Sequence, residues 1–377
     1  MKIVADENIP LIKRFFGEFG EVVILPGREI SKSDLEYADI LIVRSITQVN
    51  ADLLDGTPVK FVGSCTIGMD HIDTEYLQRN GIKYTNAPGC NANSVVEYLL
   101  SCLSILTETH ELHWDSLSVG IIGYGNVGRL LGKRLKKLGI NYVAYDPFLD
   151  NPELVSFEDV LKCDVITLHV PLTKDTRFPT YHMFDEHVLA KLHANQVLIN
   201  ASRGAVIDNQ TLLAALKKDN SFTAILDVWE NEPAINVDLA RQVLIGTPHI
   251  AGYSFDGKVA GTEMVYRRLC QVMGLPTRHS AGQFLEEPSL SKMSFTSNAD
   301  LDWSIHTAVR ACFDVRHDHS LLQRSLSLDE NGRKSAFDLF RKNYRCRREF
   351  SGIKIQLKQV NSELHTKFKA LGFNVKS

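Results

Sequence analysis

Leu117-Ser-Val-Gly-Ile-Ile-Gly-Tyr-Gly-Asn-Val-Gly128, continuing through Arg129-Leu-Leu-Gly-Lys-Arg-Leu-Lys-Lys-Leu-Gly139 to Ile140-Asn-Tyr-Val-Ala-Tyr-Asp146, is the stretch whose reading decides the fold. It opens with a short apolar strand, Val119–Ile122, followed by Gly123, Gly125 and Gly128 in the spacing G-x-G-x-x-G. A helix follows, because Val127, Leu130, Leu131, Leu135 and Leu138 recur at the interval of one buried face. Gly139 is a natural helix stop, and a second strand, Tyr142–Tyr145, ends on Asp146. Each residue type has a mechanical task. Gly123 permits the tight turn out of the strand. Gly125 lets the backbone approach a pyrophosphate lying against the positive end of the helix, where Asn126 and Val127 begin the first turn. Gly128 lets helix and strand pack closely. Asp146 can accept hydrogen bonds from a ribose diol and would repel a 2′-phosphate. Pro147 and Phe148 follow it, with no arginine, so NAD is favoured over NADP. A lone glycine pattern is weak evidence, but strand, glycines, helix, strand and terminal acid in order are specific.

Working outward, a chain of 377 residues implies two or three domains. With 44% hydrophobic and 23% charged residues, the composition is that of a globular protein. A net charge of −3 argues against non-specific nucleic-acid binding by the whole chain, and no nucleic-acid partner is expected. The opening residues, Met1-Lys-Ile-Val-Ala-Asp-Glu-Asn8, lack a basic segment followed by an apolar core, so no secretory leader is expected. The longest apolar run, around Tyr98–Leu106, is too short for a bilayer, and no membrane association is expected. Seven cysteines, scattered and without a Cys-x-x-Cys pair, fit free thiols in a reducing cytoplasm.

Residues 1–91 alternate strand and helix. Strands are expected at Lys2–Ala5, Val22–Leu25, Ile40–Val43, Phe61–Ser64 and Ile82–Thr85, with glycines such as Gly20 and Gly81 ending helices between them. Alternating βα units imply a parallel sheet covered on both faces. This block lacks the glycine fingerprint and reads as the part that holds substrate. A long helix is expected from about Asn93 to Glu108. Further strands of the nucleotide-binding block are expected at Val165–His169, Gln196–Asn200, Ala224–Asp227 and Val243–Gly246, with a helix over Asn209–Lys218. A last helix, from about Asp256 to Met273, should dock back on the first sheet. The expected fold is thus α/β, with two Rossmann-like or flavodoxin-like parallel-sheet domains and a cleft between them, plus a smaller C-terminal α+β module. The expected domains are residues 1–91 with 253–287 for substrate, 92–252 for NAD, and 288–377 for the extra module. The site should lie in the cleft, at the carboxyl ends of the strands.

Three segments near strand ends could carry chemistry: Asn200-Ala-Ser-Arg-Gly204, Leu226-Asp-Val-Trp-Glu-Asn-Glu-Pro233 and Thr247-Pro-His-Ile250. Each alone is modest, since a loop histidine is more often structural and an arginine more often a surface charge. Together they supply a cation, a carboxylate and an imidazole, the parts needed to oxidise a 2-hydroxy acid with NAD. His169 and His182 read as structural, because His249 already fills the imidazole role. Arg44 reads equally well as a partner for a substrate oxyanion and as a solvated charge. The basic cluster Arg341, Lys342, Arg345, Arg347 and Arg348 reads as a solvated helix face or a subunit contact rather than a nucleic-acid site. His317 and His319 have no Cys or Glu pattern to complete a zinc site, so no metal is expected.

The fingerprint with Asp146, the Ala-Ser-Arg-Gly segment, the Leu-Asp-Val…Glu-Pro segment and the Pro-His-Ile segment occur in the order that resembles the D-isomer-specific 2-hydroxyacid dehydrogenase family. The resemblance spans residues 1 to about 275. Asp6-Glu-Asn-Ile-Pro10, Val43-Arg-Ser-Ile-Thr47, Pro88-Gly-Cys-Asn91, Val95-Val-Glu-Tyr98 and His249-Ile-Ala-Gly-Tyr253, with the C-terminal module, resemble more narrowly the branch acting on 4-phospho-D-erythronate. That branch forms (R)-3-hydroxy-2-oxo-4-phosphooxybutanoate on a route to pyridoxal 5′-phosphate, and its C-terminal module forms a homodimer. The resemblance implies that Arg203 grips the substrate carboxylate and polarises the C2 oxygen. It implies that His249 takes the hydroxyl proton and that Glu232 orients and charges-balances His249. It places Asp227, Ala201, Ser202, Arg203 and Gly252 at the nicotinamide end of NAD, and Ser45, Thr66 and Tyr253 against substrate. Val170 stands where the pattern carries Thr; a backbone contact to NAD would survive that change and a hydroxyl contact would not.

Two other readings stay open on sequence. One is a phosphoglycerate or hydroxypyruvate type of 2-hydroxyacid dehydrogenase, against which the tail shows no clear βαββαβ pattern. The other is an NAD-sensing binding protein of the corepressor kind, which can share the fold and retain these residues.

Overall fold

The apolar runs of the first block become five short parallel strands in the computed structural model, which describes residues 1–296, 298–358 and 362–376. They are β1 (Lys2–Asp6), β2 (Glu21–Leu25), β3 (Ile40–Val43), β4 (Phe61–Ser64) and β5 (Lys83–Thr85), in the order β2-β1-β3-β4-β5. β3 and β4 are buried along their whole length, as strands covered on both faces must be. The helix Phe255–Met273 closes one face through Val259, Val265, Tyr266 and Leu269. It comes so near β4 that a Cβ on Gly63 would lie 2.3 Å from Val265 Cγ1. These residues, 1–92 with 254–287, form one compact unit.

Residues 93–253 with 288–377 form the other. Its main sheet contains β6 (Ser118–Ile122), β7 (Asn141–Tyr145), β8 (Val165–Leu168), β9 (Val197–Asn200), β10 (Thr223–Leu226) and β11 (Ile245–Gly246). All pairs are parallel, in the order β11-β10-β9-β8-β6-β7. The order reverses between β6 and β8, the place where an open α/β sheet leaves a crevice at its carboxyl edge. The helix Asn126–Leu138 leaves β6 there and stops at Gly139, in the left-handed conformation at φ 77°. β11 is shorter than the expected Val243–Gly246: Val243 still bonds back to the helix Val237–Gln242, through its amide to Leu239 O, and the Leu244 amide is the first to meet β10, at Ala224 O.

The C-terminal residues build a second, parallel sheet of β12 (Lys292–Phe295), β13 (Lys354–Leu357) and β14 (Asn374–Lys376). Helices Leu301–Cys312, Val315–Ser325, Glu330–Lys342 and Ser362–Leu371 surround it. Its apolar residues, among them Phe313, Phe350, Phe368 and Phe373, are continuous with the core around Leu99, Leu131 and Ile225, so both segments share one interior.

That continuity corrects the reading of the basic cluster as a solvated face at one position: Lys342 and Arg345 are exposed, but Arg347 is not. Arg347 is buried, stacked 3.8 Å from the Phe313 ring centroid, and donates to Ser94 O at 2.5 Å and Ala251 O at 3.3 Å. Arg345 pairs with the buried Asp318 at 3.2 Å. Beside Arg347 lies a buried polar knot. Glu97 accepts from the Phe350 amide at 2.8 Å and shares the Asn93 amide group with Glu349, while Arg134 bonds Asn93 and Leu371 O. Charges at helix spacing cannot be told from solvated ones until the partner elements are placed.

Candidate active site

The glycine turn has the geometry its residue types imply. Gly123 sits at φ 91°, and a Cβ there would lie 2.5 Å from His169 O and 2.9 Å from Val170 Cγ1. Val170 therefore walls the turn with its side chain. A Cβ on Gly128 would meet Gly123 O at 2.2 Å, so helix and strand are in direct backbone contact. Gly125 is the opposite case, with open space within 4 Å of its Cβ position. Gly125 caps the helix without a side chain, and Asn126 beside it is exposed while Val127 is half-buried. The result is a helix N-terminus with room for an anion against its amides. Asp146, at the end of β7, accepts the Tyr124 amide at 2.9 Å and the Phe148 amide at 3.1 Å, which fixes its carboxylate beside that turn. Open cradle, helix amides and fixed acid together fit an adenine dinucleotide.

Beyond β9 the chain turns through Ala201, Ser202 and Arg203. Asn200, fully buried, organises the turn: its Oδ1 accepts from the Ser202 amide at 3.1 Å and hydroxyl at 2.9 Å, and its amide group donates to Arg203 O at 2.9 Å. Gly204 then presses against the next loop, where a Cβ would lie 2.0 Å from Trp229 O. Arg203 is half-buried, with Nη1 donating to Ser202 O at 2.8 Å.

Asp227 follows β10 and is 1% exposed. It accepts the Thr247 hydroxyl at 2.7 Å, the Ile250 amide at 2.7 Å and the Ala251 amide at 2.9 Å, and its own carbonyl takes the His249 amide at 2.7 Å. Burial pushes its carboxyl up from the usual range, against the pull of His249 and these donors. Asp227 therefore shapes the loop that presents His249, a role invisible in the sequence. His249 itself is held at φ 55°, a conformation uncommon for a side chain of this size and often found where a site fixes geometry.

His249 Nδ1 lies 2.7 Å from Glu232 Oε2, and Glu232 Oε1 accepts the Trp229 amide at 2.8 Å. Burial raises the Glu232 carboxyl, but the His249 charge, its hydrogen bond and the Trp229 amide outweigh that and hold it below its ordinary range. An ionised carboxylate can only accept, so Nδ1 carries a proton, and in the neutral ring Nε2 is left as the acceptor. Trp229 is tied in turn to Thr247 O at 2.9 Å, and Tyr98 bonds the Thr247 hydroxyl at 2.9 Å. Asn200, Trp229, Thr247 and Tyr98 were given no role of their own in the sequence, although each lies inside a segment that was singled out.

Gly252 and Tyr253 follow His249 in the same turn, both half-buried. Ser45 and Thr66 belong to the other compact unit. Ser45 is exposed just after β3, and Thr66 bonds the Ser64 hydroxyl at 2.8 Å, which in turn meets His71 Nε2 at 3.1 Å. Arg44 is not a purely solvated charge, since Nε pairs with the buried Asp6 at 3.0 Å. His169 is half-buried, with Nε2 3.0 Å from the Thr167 hydroxyl, and desolvation drives its imidazole down to about 3, so it stays neutral. His182 bonds Glu230 at 2.8 Å and stacks on Tyr181. Both histidines are occupied structurally.

Residues 107–251 match the family model described as D-isomer specific 2-hydroxyacid dehydrogenase, NAD binding domain. Residues 284–372 match a domain of unknown function, DUF3410. Erythronate-4-phosphate dehydrogenase of Hahella chejuensis is 50% identical over 380 residues, covering 100% of both chains. The chain belongs to the erythronate-4-phosphate dehydrogenase family. The enzyme of that name from Marinobacter nauticus is 49% identical, again over 100% of both chains. Among solved structures, a D-lactate dehydrogenase from Treponema pallidum superposes with a TM-score of 0.57 at 26% identity, over 73% of this chain and 98% of that one. A D-lactate dehydrogenase from Aquifex aeolicus, complexed with NAD and lactic acid, gives 0.59 at 23% identity, over 72% and 96%. The match to these shorter chains reflects the shared parallel-sheet fold.

Proposed function

We propose that this protein oxidises 4-phospho-D-erythronate to (R)-3-hydroxy-2-oxo-4-phosphooxybutanoate with NAD, a step toward pyridoxal 5′-phosphate. The observation that carries the reading is the assembled His249–Glu232 pair, at 2.7 Å, in a chain whose full-length relatives bear that activity's name. NAD supplies the hydride acceptor for C2. Asp146 holds the adenosine ribose, and the amides behind Gly125 face the pyrophosphate. Arg203 grips the substrate carboxylate and draws electron density from the C2 oxygen, tasks suited to a planar fork of donors. Nε2 of His249 accepts the C2 hydroxyl proton, and Glu232 favours the imidazolium that forms. Ser45, Thr66 and Tyr253 contact substrate, and Ala201, Ser202, Asp227 and Gly252 line the nicotinamide end.

A substrate panel monitored by NADH absorbance tests the reading, with 4-phosphoerythronate and 3-phosphoglycerate side by side. Turnover of 4-phosphoerythronate is expected to dominate; reduction of NAD by other hydroxy acids alone would overturn the assignment.

The C-terminal module is further proposed as a homodimer contact. Exposed Trp303, Leu328 and Leu339 on and beside its helices support this. Light scattering at micromolar concentration should give twice the mass of one chain, and a monomer there would count against the module's role. A cytoplasmic setting accords with seven free cysteines, and no described helix is long and apolar enough to cross a membrane.

A further inference from the structure

A substrate bearing both a carboxylate and a phosphate needs two cationic partners, and Arg203 accounts for one. The C-terminal basic cluster supplies a second. Its arginines are spent differently. Arg345 is committed to Asp318, and Arg347 to backbone carbonyls and the Phe313 ring. Arg341 lies in the last turn of the helix Glu330–Lys342 and reaches Tyr253, with Cζ 5.7 Å from the ring centroid. Tyr253 is braced from another side by Tyr344, edge-on at 5.7 Å. Nε of Arg341 is shut off from solvent yet makes no hydrogen bond. A buried N–H left without an acceptor is costly unless a ligand provides one. Burial works against the charge of the guanidinium, but Tyr253, by its charge and a side-chain hydrogen bond, and the carboxylates of Glu232 and Asp227 outweigh it and keep it charged.

We propose that Arg341 binds the phosphate group of the substrate, so that the C-terminal module completes the active site as well as extending the fold. This rests on the functional reading above. The guanidinium fork matches two phosphate oxygens, and Nε is one of the donors that such a contact uses. The position also gives selectivity: a 2-hydroxy acid without the phosphate would leave Nε without an acceptor, which disfavours its binding.

The test compares wild type, Arg341→Gln and Arg341→Lys. KM and kcat for 4-phosphoerythronate are measured together with inhibition by inorganic phosphate, and NADH binding by fluorescence reports folding. For Arg341→Gln, a rise in KM on the order of 10²-fold is expected, with phosphate inhibition lost and kcat changed far less. Arg341→Lys should fall between, because it keeps the charge and loses the fork. A KM within about twofold of wild type would overturn the assignment. So would a fall in kcat with phosphate inhibition intact, the signature of a residue that merely supports Glu232 and His249. If Arg341→Gln loses NADH binding through misfolding, Arg341→Lys decides: phosphate inhibition as strong as in wild type overturns the proposal, and weakening of about fivefold or more upholds it. Wild-type protein that fails to turn over 4-phosphoerythronate would bring down the functional reading itself, and this assignment with it.

Discussion

Glu232 grips His249 at Nδ1, one carboxylate oxygen 2.7 Å from that nitrogen and the other anchored on the Trp229 amide. The pair predicts two variants. His249→Ala should lower turnover by a factor on the order of 10²–10⁴ while NADH binding persists. Glu232→Gln, which can present an amide donor to Nδ1–H, should lower kcat by on the order of 10²–10⁴ with little change in thermal stability. Steady-state kinetics beside a thermal melt separate chemistry from folding; full activity in either variant removes that residue from the mechanism.

Arg203 owes its placement to Gly204. Because a Cβ on Gly204 would sit 2.0 Å from Trp229 O and 2.6 Å from Glu230 N, the two loops touch backbone to backbone. Gly204→Ala should destabilise the protein by about 1–3 kcal/mol and displace Arg203. Calorimetry should show the lower melting temperature, and kcat/KM should fall further than the stability loss explains. A variant with wild-type melting and kinetics would show that the loops can part freely.

Cofactor choice rests on Asp146, whose carboxylate is positioned by the Tyr124 and Phe148 amides. Asp146→Ala should raise KM for NAD and increase the ratio of NADP to NAD efficiency by on the order of tenfold or more, since the repulsion of a 2′-phosphate is gone. Initial rates with both cofactors measure the ratio; an unchanged preference would place the discrimination elsewhere.

Glu97 predicts a pH effect on stability. Burial first, then the neighbouring Glu349, push its carboxyl up to about 8, against Arg347, Arg134 and the Phe350 amide. Between its ordinary value of 4.5 and about 8, the folded chain holds a proton that the unfolded chain has released. Stability from this group therefore declines as pH rises through that window and is level outside it. Glu97→Gln should flatten the decline. Urea midpoints at several pH values would show it, and parallel curves for both proteins would sink the idea.

Much of the fold was legible because parallel strands buried on both faces must be continuous apolar runs. Ile40–Val43 and Phe61–Ser64 were readable to the residue for that reason. β11 was overread, because Val243 and Leu244 are as apolar as a strand residue while Val243 remains bonded to the preceding helix.

At the site, the sequence by itself determined the chemistry available: a glycine turn ending in Asp146, and an arginine, a carboxylate and an imidazole in three separate segments. Those readings rest on local rules, since a turn, a helix start or a donor set depends on residues near in the chain. Only the tertiary structure decided how Asp227 bends the loop that carries His249, how Asn200 sets the turn before Arg203, and that Arg347 is buried while Arg341 reaches Tyr253. Each of those depends on which distant element supplies the hydrogen-bond partner. A polar side chain's burial is fixed by that partner, and no local spacing encodes it.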